Sequence, residues 1–173
     1  FCYNELVKVL ISGPSGAGKT FLTNEFKKIG FHAEDSDQIH ELDSWYDGQG
    51  NKVSIPDNAG KEFLDNHSFL WDKEFLKNYL EQNPDIYIFG MSGNAFEMRD
   101  LFDKVYFLQV PPEILKERVQ HKSRENPMGK TQEQRVEVLK WAKEKEDEAR
   151  CLGIKFIDGT LSPIQIAEGI TKK

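Results

Sequence analysis

A chain of 173 residues with 30% charged residues and a formal net charge of −6 is long enough to bury one core without staples, and its acidity argues against a broad nucleic-acid or membrane surface. Cys2 and Cys151 are too few for a disulfide framework, no C-x-x-C or Cys/His cluster has metal-ligand spacing, and no apolar run approaches the ~20 residues that cross a bilayer. The expectation is a single domain over residues 1–173 in a reducing, cytoplasmic setting, with no long nucleic acid and no membrane among its partners; composition sets no oligomeric state. The first residues lack the charged and then hydrophobic stretches of a signal segment, and because the chain opens on Phe1 rather than Met, further residues are expected upstream.

In chain order, Leu6 to Ser12 reads as a buried strand and Lys19 to Ile29 as a helix with Phe21, Leu22, Phe26 and Ile29 on one face, stopped by Gly30. Between them Gly13-Pro14-Ser15-Gly16-Ala17-Gly18-Lys19-Thr20 matches G-x-x-x-x-G-K-[ST] in full. Glycines let successive N–H groups turn inward on a triphosphate, Lys19 reaches the β/γ oxygens, and the Thr20 hydroxyl ligates magnesium. ATP and Mg2+ are therefore the expected ligands, helped by the partial positive charge of the following helix N-terminus. A short second strand, Phe31 to Glu34, leads into Asp35-Ser36-Asp37. A carboxylate here serves either the nucleotide's metal or the proton of an acceptor hydroxyl; alternatively Asp35 or Ser36 caps a helix that begins near Asp37.

From Gln38 to Gly90 the chain has no arginine, but it offers Trp45, Tyr46, His67, Phe69 and Trp71, with a turn at Asp47 to Lys52 joining two short extended pieces. Core packing is the favoured role for most of these aromatics, with stacking on a base or sugar as the alternative; Lys52 or Lys61 could supply charge, and His40 and His67 read as ordinary polar residues. A helix follows from Asp72 to Gln82. The third strand is Asp85 to Phe89, followed by Gly90-Met91-Ser92-Gly93-Asn94, where Ser92 and Asn94 could touch an acceptor; Arg99 on a later helix could reach an anionic one. A fourth strand, Lys104 to Val110, precedes a helix around Glu113 to Arg118. A long helix, Thr131 to Cys151, buries Val138, Leu139 and Ala142, with Trp141 at the margin and a self-paired charged face to which no function is assigned. A fifth strand, Ile154 to Asp158, and a last helix from Ser162-Pro163 with Ile166, Ala167 and Ile170 inward complete an α/β alternation whose sheet is parallel, with ligands beyond the carboxyl ends of its strands.

Over nearly its whole length the chain resembles the P-loop small-molecule kinases: adenylate, shikimate and gluconate kinases and their relatives. The phosphate loop, Asp35-x-Asp37 and the segment from Val110 onward carry the resemblance. It implies a P-loop NTPase fold, three-layer α/β/α with a five-stranded parallel sheet and a short lid at about 122–131, the acceptor-binding region lying at about 36–84. It also implies roles: Arg118 packing on the adenine, Arg124 on the lid, Arg135 holding transferring phosphate or acceptor, and Gly159-Thr160 bordering the adenine. Asp35 would act with Thr20 on the metal and Asp37 as base or acceptor ligand, beside Lys19, Arg124 and Arg135 in catalysis. The implied activity is transfer of the γ-phosphate of ATP to a small-molecule acceptor, a nucleotide or nucleoside first. A sugar or hydroxy acid, or a non-catalytic ATP-binding regulatory protein, are the alternatives. Neither the arginines of an acceptor phosphate site nor the glycine run of shikimate kinases is present.

Overall fold

A computed structural model describes residues 6–56, 59–120 and 131–171. Five strands build one parallel sheet: β1 (Lys8–Ser12), β2 (Ala33–Asp35), β6 (Ile86–Phe89), β7 (Lys104–Gln109) and β8 (Lys155–Asp158), in the order β2-β6-β1-β7-β8. The central strands are apolar on both faces because helices cover both. Val9, Ile11 and Phe89 pack under α1 (Lys19–Lys28) and α6 (Pro163–Thr171), whereas Leu10, Ile86 and Ile88 pack under α3 (Lys73–Gln82) and a 3₁₀ segment at Ala95–Leu101. Every consecutive parallel pair needs a crossover, and the helices supply them.

A second, antiparallel sheet of β3 (Asp43–Tyr46), β4 (Lys52–Val53) and β5 (Ser68–Trp71), in the order β4-β3-β5, lies between β2 and α3 in the chain. The turn at Asp47 makes the expected hairpin: its carboxylate accepts the backbone N–H groups of Gln49 and Asn51, at 2.9 and 2.8 Å. The short α2 (Lys61–Asn66) follows β4. Beyond β7 come α4 (Pro112–Gln120) and the long α5 (Gln132–Cys151). Thr131 caps α5 in a capping box with Gln134, and Gln134 also donates to the Ala59 carbonyl at 3.0 Å while Glu133 accepts the Lys61 N–H at 3.2 Å. The start of α5 is thus sewn to the entry of α2.

Three local expectations change. Helix α1 buries Leu22, Thr23 and Phe26, but Phe21 and Ile29 are exposed. Phe21 lies a hundred degrees around the helix from Leu22, and the chain already leaves the helix at Ile29, whose backbone caps it before Gly30 turns away. The helix expected near Asp37 is only a single 3₁₀ turn, Ser36–Gln38, and Asp35 caps it, its carboxylate accepting Asp37 N–H. The second strand pairs one to two residues later than its apolar pattern suggests, which brings Asp35 into the sheet opposite Phe89.

Candidate active site

Between β1 and α1 the phosphate loop forms the turn its glycines permit. Gly16 and Gly18 have φ of 92° and 101°, values that L side chains rarely adopt. The Lys19 ammonium folds back and donates to the carbonyls of Gly13 and Pro14, at 2.7 and 3.1 Å. Ala17 N–H closes the turn on Pro14 O at 3.0 Å. Arg118 of α4 reaches the loop from outside, Nη1 donating to Ala17 O at 3.2 Å. Thr20 is exposed in the first turn of α1. Its hydroxyl would hold a magnesium ion delivered by a nucleotide, an ion that needs only one or two protein oxygens because phosphates and waters complete its shell. Among the described residues no group of three or more His, Cys, Asp or Glu forms a separate metal cage.

The acidic turn lies at the end of β2, where the sheet edge meets the loop. Asp35, Phe89 and Ile11 are register partners across three strands, so Asp35 shares the sheet face covered by α1, the helix that carries Thr20. Asp35 is buried, and its carboxylate accepts Asp37 N–H at 3.2 Å. That bond turns the chain so that Asp37 lines a cleft together with Ser15 and Lys19. Asp37 is reached by solvent, yet surrounding protein dominates its environment: desolvation, then the Asp35 charge, push its pKa up against the opposing Lys19 charge and Ser36 hydrogen bond. Gly90 closes the turn from behind, because a Cβ there would lie 2.1 Å from Ser36 Oγ and 2.7 Å from Trp71 Cζ2.

The cleft, about 660 Å³, lies between the phosphate loop, the antiparallel sheet and α5. The sheet is held over it by Asn94. Trp71 N–H donates to Asn94 Oδ1 at 2.9 Å and Asn94 Nδ2 donates back to Trp71 O at 3.0 Å, while Gly93 N–H bonds Phe69 O at 2.8 Å. Asn94 and Gly93 therefore fix the antiparallel sheet to the end of β6. Trp45 of β3 and Phe69 of β5 face each other at 5.5 Å between ring centroids, and His67 stacks on Phe63 at 3.9 Å. From α5, Val138, Trp141 and Lys145 line the opposite side at helical spacing.

At the start of β3, Asp43 adds a carboxyl that the sequence reading did not single out. Desolvation, then the charges of Asp37 and Asp35, raise its pKa from 3.8 to about 6. The folded state holds this proton more tightly than the unfolded chain, so ionisation weakens folding as pH rises through about 6, and the penalty is absent below the unfolded value. Asp43→Asn is therefore expected to raise Tm over the parent at pH 8, with the gain shrinking toward zero as pH falls to 4. Thermal melts across that range check it; an equal gain at every pH would rule out the electrostatic cause.

Other expected residues fall into two groups. Gly159 and Thr160 follow β8, beside the end of β7: Gly159 N–H donates to Gln109 O at 2.7 Å, and Asp158 accepts both the N–H and the hydroxyl of Thr160, which hold its carboxyl below its usual pKa. Arg135 lies in the first turn of α5, three residues before Val138, and is not among the residues that line the cleft. Arg124 and the lid, residues 122–130 with the N-cap Thr131 excepted, lie outside the described residues. Arg99 belongs to the other end of the sheet, where it borders a concavity with Val7, Asp85 and Asp103, and its guanidinium donates to Phe96 O at 3.1 Å. It is distant from the cleft because its segment turns back toward the amino ends of the strands. Trp71 is core, as favoured for most of the aromatics, whereas Trp45, Phe69 and His67 line the cleft.

A parallel sheet in this order, a phosphate loop after its central strand and an acidic turn at the end of the edge strand β2 define the fold of the P-loop small-molecule kinases. A shikimate kinase from Acinetobacter baumannii in complex with shikimate is similar at 19% identity, over 97% of this chain and 94% of that one, with a TM-score of 0.60. A shikimate kinase from Bacteroides thetaiotaomicron gives 18%, 95% and 97%, and 0.54. A gluconokinase from Sinorhizobium meliloti 1021 gives 14%, 95% and 89%, and 0.53. These likenesses concern the fold. Residues 9–140 match the family described as AAA domain, and the chain belongs to that family. No curated protein matches its sequence. Among the described residues no helix is long and apolar enough to cross a membrane.

Proposed function

We propose that the chain is an ATP-dependent phosphotransferase that moves the γ-phosphoryl group to a hydroxyl of a small acceptor, a nucleotide or nucleoside. The observation that carries this reading is that Lys19 of the phosphate loop and Asp37 of the acidic turn line one cleft. A phosphate-stabilising cation and a carboxylate able to take a hydroxyl proton thereby face a common volume. The loop amides from Gly13 to Gly18 would cradle the phosphates, and Thr20 with Asp35 would hold magnesium, Asp35 through a water. Arg118, already against the loop, would pack on the adenine beside Gly159 and Thr160. Arg135 would steady the transferring phosphate with Arg124. Phosphoryl transfer asks the protein for positioning and positive charge, and these residues supply both.

The test is ADP release from magnesium-ATP by the full chain with and without acceptors, with Asp37→Asn alongside. Asp37→Asn is expected to lower kcat by about 10²-fold or more while leaving ATP affinity within about twofold, since the base acts on the acceptor. A parent protein that binds ATP tightly with no acceptor-stimulated turnover would sink the enzyme reading and favour an ATP-binding regulatory protein.

A further inference from the structure

Resting on that reading, we propose that the acceptor is an uncharged alcohol carrying a flat ring, a nucleoside rather than a nucleoside monophosphate or a hydroxy acid. The cleft volume of about 660 Å³ is in the range that encloses a small organic molecule. Its walls include three aromatic side chains from three separate elements, Trp45, Phe69 and Trp141, together with Leu70, Met91 and Val138. Such surfaces gain by covering a planar ring and give no anchor to a compact anion.

The charges point the same way. Asp37, Asp43 and Glu97 line the cleft, against Lys19 and Lys145. Lys19 belongs to the phosphate loop, where it donates to Gly13 and Pro14 carbonyls. Lys145 donates to Gly93 O and to Glu148, both at 2.6 Å. Among the described lining residues there is no arginine, the side chain whose fork matches phosphate or carboxylate. Arg135, the nearest in the α5 sequence, sits a turn toward the lid end and is assigned above to the transferring phosphate. An acceptor anion would thus enter a wall of carboxylates beside the ATP phosphates. Hydroxyl groups would instead donate to those carboxylates: Asp37 takes the reacting hydroxyl and Asp43, which lines the same cleft, takes a second. In the reaction the acceptor oxygen forms a bond to the γ-phosphorus as the bond to the β–γ bridging oxygen breaks. ADP leaves with that electron pair, the hydroxyl proton passes to Asp37, and a phosphate monoester is released.

The experiment uses the full chain with magnesium-ATP and a panel of ribo- and deoxyribonucleosides, their 5′-monophosphates, shikimate and gluconate, reading ADP and the phosphorylated product by mass spectrometry. At least one nucleoside is expected to exceed its own 5′-monophosphate in kcat/KM by about 100-fold or more. Preference for a monophosphate or for a hydroxy acid would overturn this assignment and leave the phosphotransferase reading intact; turnover with no acceptor would overturn both. Binding supplies a readout independent of turnover. Trp45 and Trp141 line the cleft, so the preferred nucleoside is expected to quench tryptophan emission. Asp43→Asn is expected to raise its dissociation constant about tenfold, with ATP affinity unchanged. Phe69→Leu, which keeps an apolar wall without the ring face, is expected to weaken the same nucleoside about tenfold. Unchanged nucleoside affinity in both variants would overturn the assignment.

Discussion

Lys19→Ala is expected to abolish measurable turnover and to weaken magnesium-ATP binding by at least about 100-fold, the largest single effect in the molecule. The lysine is the cation of the phosphate loop, and charge at the β/γ oxygens is worth most where water is displaced; loss of one such donor costs about 10²–10³ in rate. It is already held inside the loop, donating to Gly13 and Pro14 carbonyls at 2.7 and 3.1 Å. Its ordering is therefore largely paid before nucleotide arrives. Removing it leaves those two carbonyls without that donor, so a modest loss of stability accompanies the loss of binding. A second effect separates this account from simple unfolding. The Lys19 charge lowers the Asp37 pKa against desolvation and Asp35, so its removal moves that pKa further up, and any residual activity should require higher pH than in the parent. Calorimetric titration with ATP, a pH-rate profile and a circular dichroism spectrum decide the matter. Parent-like ATP affinity in a folded Lys19→Ala protein would remove the loop from the mechanism.

Gly90→Ala should damage stability and catalysis together, although the substitution adds one methyl group. The glycine has no left-handed φ to require it. It is required by contact: an added Cβ would lie 2.1 Å from Ser36 Oγ, 2.4 Å from Ser36 Cβ and 2.7 Å from Trp71 Cζ2. Ser36 and Trp71 are both buried, and the Trp71 indole N–H is buried without a hydrogen-bond partner, so neither ring nor turn has an easy retreat. Overpacking of this kind costs about 1–3 kcal/mol. The displaced residue sits between Asp35 and Asp37, so the strain is delivered to the acidic turn. The expected result is a lower urea midpoint and a kcat reduced by about tenfold or more, with KM for ATP nearly unchanged because the phosphate loop is untouched. Adding Ser36→Gly in the same chain should recover part of the stability, since it deletes the closest contacts while leaving the one to Trp71. Full activity and stability in Gly90→Ala would show that the backbone absorbs the methyl group and that the turn is not set by this packing.

These two residues mark the boundary between what was legible in the chain and what was not. Lys19 stands in a contiguous eight-residue pattern whose chemistry depends on local backbone geometry, so the loop, its strand and its helix could be read directly. The same holds for the helix starts at Asp72 and Thr131, for the parallel strands at β6, β7 and β8, and for the place of Asp35 and Asp37, one residue apart at a strand end. Gly90 carries no local signal, because its requirement comes from Ser36 and Trp71 far away in the chain. The wall of the cleft was obscured for the same reason. Helical periodicity places Val138, Trp141 and Lys145 of α5 on one side of the helix, yet with Val138 read as buried, Trp141 as marginal and Lys145 as part of the charged face, it cannot say that this side meets a cleft. Asp43 and Phe69 lie on short strands, and His67 caps α2 just before β5, so their placement is set by the hairpin at Asp47 and by the Asn94 bridge to Trp71. The sequence by itself determined the phosphate loop, since such a loop is built by adjacent backbone amides. Only tertiary structure decided the cleft beside it, because its side chains converge from the turn after β2, from β3 and β5 and from α5, and their convergence is a property of packing between elements.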